Sequence, residues 1–138
     1  MLDAYLVPEN TVITAKGDGQ PLAIEHAASR VFLLTLSITS VVEQESIEVS
    51  VFTSADGTTW DAKPVATLPQ KFYVGEYPVL VDLTAAPEAK FVRAHWEVSR
   101  WGRGATGVHF EIGLRLREVS AEDLHEAQVE AQMHRTGS

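Results

Sequence analysis

The chain has no cysteine among its 138 residues. That single absence removes disulfide frameworks, thiolate metal sites and cysteine nucleophiles together, and the fold needs no oxidising compartment. Long apolar runs are missing as well: no stretch approaches the ~18 residues of a membrane-spanning helix. The opening residues, MLDAYLVPENTV, hold neither a basic segment nor an apolar core, so no signal peptide is visible. Positive charge is scarce, with 11 basic residues against 19 acidic ones and a net charge of −8. An acidic surface repels phosphate backbones, so neither nucleic acid nor membrane is an expected partner. The arginines are uneven, however: six of seven lie between Arg93 and Arg135, which allows a local basic patch on an acidic body.

Signatures of catalysis are also lacking. There is no G-x-S-x-G elbow, no H-E-x-x-H pair of zinc ligands and no G-x-G-x-x-G phosphate loop. Carboxylates are plentiful, but no spacing singles out an acid/base pair. The inventory predicts a protein that is not an enzyme and uses no cofactor. No internal repeat and no low-complexity tract is visible.

What the chain does contain is strands. Apolar residues make up 45% and charged residues 22%, an ordinary globular balance, and the length suits one domain with its own core. Thr11–Thr14 and Leu22–Glu25 read as short strands around the turn-rich Lys16–Pro21. In Arg30–Val42, Phe32, Leu34, Leu36 and Ile38 alternate onto one face, and Val31 and Leu33 add apolar cover to the other. In QESIEVSVFTS, Ile47, Val49 and Val51 point one way while Glu48 and Ser50 point the other. The stretch from Trp60 to Pro69 holds two prolines and suits an edge or a loop. Pro78–Leu83, Phe91–Val98 and Val108–Val119 are further strands. Turn signals every 8–15 residues or so predict an all-β, antiparallel β-sandwich of jelly-roll-like form over residues 1–119. Residues 120–138 change pattern: Ser120 suits an N-cap, acids crowd the first turn and His134 and Arg135 sit near the end, which predicts a short C-terminal α-helix. Its apolar stripe is thin, so it either docks on a neighbouring chain or frays.

Three constellations are candidates for function. Asp56-Gly57 reads as a tight hairpin turn. Trp60 beyond it either caps the core or offers a flat face to a sugar or a protein. His95-Trp96-Glu97 and His109-Phe110-Glu111 form two H-x-E pairs, in each of which the His and Glu share a strand face. If the two strands form a hairpin, one register sets His95 opposite Glu111 and Glu97 opposite His109. Those four groups could hold zinc, or could serve as solvated cross-strand pairs without any metal. The connection SRWGRGATG places Trp101 between Arg100 and Arg103. Tryptophan and arginine dominate interface hot spots, so this loop is the leading contact candidate; the alternative folds Trp101 back under Arg100.

The order of the segments TAKGDGQPLAI, VFLLTLSITSV, SIEVSVFTSADGTTW, FVRAHWEV and FEIGLRLRE resembles small β-sandwich proteins found among the structural genes of tailed phages and prophages. The resemblance covers roughly residues 12–118 and implies a virion-associated decoration or assembly role, in the virion or the cytoplasm, with no catalytic residues to carry over. The S-x-D-G-x-x-W segment with FVR is also similar to discoidin-type sandwiches, without their disulfide-bearing ends or secretion signal. Two functions are therefore expected in order: a structural protein that forms homo-oligomers or joins other subunits of a particle through Arg100, Trp101 and Arg103, or a carbohydrate-binding module stacking sugars on Trp60 and Trp101. A metal-dependent enzyme at the His95/His109 face ranks third.

Overall fold

The computed structural model describes residues 2–42, 44–101 and 107–120. The helix expected from residue 121 onward and Arg103 lie outside the described residues. Among the described residues there are nine strands: β1 Asp3–Ile13, β2 Gly17–Asp18, β3 Leu22–Ala23, β4 Val31–Val41, β5 Glu45–Ser54, β6 Ala66–Lys71, β7 Gly75–Asp82, β8 Phe91–Arg100 and β9 Phe110–Glu118. They form two antiparallel sheets packed on one another, one ordered β1-β9-β4-β7 and the other β2-β8-β5-β6, with β3 also pairing β8. The all-β, sandwich-like architecture expected from the alternation is the one observed.

The core lies between the sheets. From β4, Phe32, Leu34, Leu36 and Ile38 point inward; from β5, Ile47, Val49 and Val51 meet them; and Phe110, Ile112, Leu114 and Leu116 of β9 fill the centre. All eleven are at most 1% exposed, so each contributes nearly its full transfer energy, ~1.5–3 kcal/mol for a large side chain. Val31 and Leu33 are covered on the outer side of β4 by Val119 and Leu80 in a second small cluster, as the doubly apolar start of that strand suggests.

Three differences from the sequence reading have physical causes. The first strand begins at Asp3, not Thr11: Pro8 and a left-handed Asn10 (φ 62°) break its alternation, and β1 follows β9 through two register shifts. Asp56-Gly57 is not a two-residue hairpin, because β5 ends at Ser54 and β6 starts at Ala66. Instead Ser54 and Asp56 organise a longer loop: the Asp56 carboxylate accepts the N–H groups of Thr58 (2.9 Å) and Thr59 (2.8 Å). Most consequential, β8 and β9 are not a hairpin. β8 pairs with β2, β3 and β5, whereas β9 pairs with β1 and β4, so the two H-x-E pairs fall in different sheets.

Proline marks the long sheet margins. Pro8 stands in β1, Pro69 in β6 at the irregular register between Ile47 and Val49, and Pro78 in β7. The remaining outer strands, β2 and β3, are two residues each.

Candidate functional site

At the end of the molecule where β8 finishes, four apolar side chains stand in solvent. Phe72, Tyr73 and Val74 form the connection from β6 to β7 and are 40%, 75% and 58% exposed; Trp101, just past β8, is 45% exposed. A three-residue link between strands in different sheets leaves no room to turn all three side chains inward. The group is nonetheless well placed. The Trp101 ring meets Phe72 edge-on at 5.9 Å, and Phe72 meets Tyr73 at 6.3 Å. The Tyr77 hydroxyl donates to the Tyr73 carbonyl at 2.7 Å, and the Lys71 ammonium sits 4.9 Å above the Tyr77 ring.

Behind this aromatic tip, the buried Glu45 fixes the backbone. One carboxylate oxygen accepts the N–H of His109 at 2.8 Å and the other accepts that of Val42 at 2.9 Å. The Trp101 N–H donates to the carbonyl of Gln44, a residue in the left-handed region (φ 61°). Arg100 does not stack on Trp101: its guanidinium donates to the Gly107 carbonyl at 2.6 Å and ties the two ends of the loop together. Of the predicted contact residues, Arg100 and Trp101 therefore share one end of the protein. Phe72, Tyr73 and Val74 were missed in the sequence. Their signal was three consecutive apolar residues between Lys71 and Gly75, out of phase with strand alternation.

Trp60 lies at the other end and is only half-buried, outside the core; the Arg93 guanidinium covers its ring at 4.5 Å. The paired sugar platforms of Trp60 and Trp101 are thus not brought together: Arg93, which covers Trp60, and Trp101 stand eight residues apart along β8, about 26 Å.

The outer face of the second sheet carries the remaining candidates. His95 bonds Asp18 through Nδ1 at 2.8 Å and Glu97 through Nε2 at 3.0 Å. Arg93 lies 3.9 Å from the same Asp18, and the Phe52 ring stands edge-on to the imidazole at 6.1 Å. Partial burial pulls the His95 pKa down, but the bonds to Glu97 and Asp18 outweigh it and leave the pKa above the usual imidazole value. Glu97 of β8 stands opposite Glu48 of β5, two like charges directly across from one another on the sheet face. Glu111 instead pairs with Val12 and Ser40 in the other sheet, and His109 sits by Glu45. The proposed four-ligand patch of His95, Glu97, His109 and Glu111 does not form, and among the described residues no group of three or more His, Asp or Glu side chains is arranged to hold a metal. No helix among the described residues is long and apolar enough to cross a membrane.

No protein-family model matches this chain, and no curated protein matches it either.

Proposed function

We propose that this chain is a non-enzymatic structural protein that docks, onto copies of itself or onto the subunits of a larger particle such as a virion, through its aromatic tip. The observation that carries this reading is the exposed group Phe72, Tyr73, Val74 and Trp101. Rings of ~200 Å² each at these exposures leave on the order of 300 Å² of aromatic surface in water. That is the size of the largest apolar patch on a typical soluble monomer, a patch that is often functional. Aromatic anchors held by a rigid backbone, with Lys71 and Arg100 at the rim, have the composition of an interface hot spot. The strand order supports the particle reading in one further respect: β1-β9-β4-β7 facing β2-β8-β5-β6 follows the jelly-roll pattern, an architecture used by capsid proteins and also by lectins.

Light scattering over a concentration series tests the reading. Trp101→Ala is expected to raise the dissociation constant about ten-fold or more, equivalent to ~1.4 kcal/mol, with the β-sheet circular dichroism unchanged. A wild-type chain that stays monomeric at high concentration, and that binds no particle subunit, overturns it. Soluble sugars that shield Trp101 from fluorescence quenching would move the assignment to carbohydrate binding.

A further inference from the structure

The chain between β1 and β3 is a strap laid across Trp96. Ile13 and Ile24 anchor its ends in the core, but no residue of 14–21 is itself buried. Gly17 and Gly19 bring the backbone close to the indole. A Cβ on Gly17 would stand 3.4 Å from the ring, and one on Gly19 would meet the Leu6 carbonyl at 2.9 Å. What holds the strap is polar. β2 pairs with β8 over two residues, the Gly19 N–H donates to the Ala94 carbonyl at 2.8 Å, and the Trp96 indole N–H donates to the Ala15 carbonyl at 3.0 Å. A segment with few apolar contacts and exposed backbone bonds opens locally at a small fraction of the global unfolding cost.

One side chain closes the strap onto the sheet. Asp18 of β2 meets His95 Nδ1 at 2.8 Å, and Glu97 meets Nε2 at 3.0 Å. A neutral imidazole has one N–H and one lone pair, so it can donate to only one of two carboxylates; the imidazolium donates to both. Partial burial lowers the His95 pKa, and the bonds to Glu97 and Asp18 raise it by more, so it stands above 6.5. The other groups around the ring do not titrate with it. Arg93 comes within 3.9 Å of Asp18 and adds a hold that does not vary with pH. Lys16, beside β2, forms no ion pair among the described residues. From β5, Ser50 stands opposite His95, Glu48 stands opposite Glu97, and Phe52 meets the imidazole edge-on; from β6, uncharged Thr67 lies beyond Ser50.

We infer that His95 is a proton-operated latch: as the imidazolium it holds residues 14–21 shut over Trp96, and on losing its proton it releases them from β8. The closed strap binds the proton more tightly than the open one. Closure is therefore complete below pH 6.5 and weakens as pH rises through the closed-state value. Opening frees the Ala94 carbonyl, bares the Trp96 indole and leaves one margin of the second sheet unpaired. The latch is independent of docking at the aromatic tip.

Amide exchange followed by NMR on the full-length chain tests this, with rates corrected for the intrinsic effect of pH. The opening constant read at Gly19 is expected to rise several-fold from about pH 6 to about pH 8.5, along the same curve as the His95 titration, while Leu36 in β4 keeps its protection. His95→Gln is uncharged at every pH, so its Gly19 should exchange at the lower pH as wild type does at the higher one. Equal protection of the wild-type Gly19 amide at both pH values overturns the latch. So does a pH dependence that persists in His95→Gln, or one that Leu36 shares, which makes the opening global. If His95→Gln fails to fold, Asp18→Asn removes the strap's half of the latch and must flatten the profile in the same way; an unflattened profile overturns the inference.

Discussion

Glu45 is 1% exposed on a β-protein of ordinary composition, and it is there because two backbone N–H groups need it. Removing the carboxylate leaves the N–H groups of Val42 and His109 without acceptors, each worth about 1–3 kcal/mol when buried. Glu45→Ala is expected to lower stability by about 2 kcal/mol in urea unfolding, with the loss concentrated at the aromatic end. His95 makes a different kind of statement. Its pKa is raised above 6.5 in the folded chain, so its contribution is complete below pH 6.5 and is lost as pH rises through the folded value. The charges facing it are Asp18 and Arg93 on one side and Glu97 and Glu48 on the other. An NMR titration should place its midpoint above 6.5, and Asp18→Asn should move that midpoint down. A midpoint below 6.5 in the wild type would show that burial dominates instead.

At the scale of elements, the loop after β5 depends on one residue's backbone. Gly57 has φ +83°, and a Cβ there would stand 3.4 Å from the Phe91 ring. Contact at that distance is ordinary, so the cost of Gly57→Ala comes from the left-handed conformation, about 1–2 kcal/mol. Thermal unfolding is expected to report that loss without a change in the secondary-structure spectrum. The same loop shows how far the sequence could be read. Asp56-Gly57 marked a corner correctly, yet a local dipeptide does not record how many residues follow before the next strand. Strands β4, β5, β8 and β9 were legible because Phe32–Ile38, Ile47–Val51 and their counterparts alternate with period two. Which sheet each strand joins was not legible. Phe91–Arg100 and Phe110–Glu118 are neighbours in sequence, but the connection between them crosses from one sheet to the other, and alternation carries no information on that crossing. The zinc patch failed for this reason alone. Trp101 was singled out because it stands between Arg100 and Arg103, residue types that dominate interface hot spots; Phe72–Val74 escaped notice because it follows Trp60–Pro69, a stretch that reads as edge or loop.

At the scale of the whole molecule, the prolines of the sheet margins decide which directions remain open for association. A bare edge strand offers unpaired N–H and C=O groups to any other strand. Here Pro8, Pro69 and Pro78 each delete a donor from a margin, the left-handed Asn10 kinks another part of β1, and β2 and β3 are too short to serve as templates. Incubation at high concentration is therefore expected to give no thioflavin fluorescence, even where light scattering reports large species; a strong dye signal would contradict it. The molecule behaves like a brick glazed along its rims: it does not join rim to rim into a growing β-sheet, so any course it builds is laid on its broad faces or its ends.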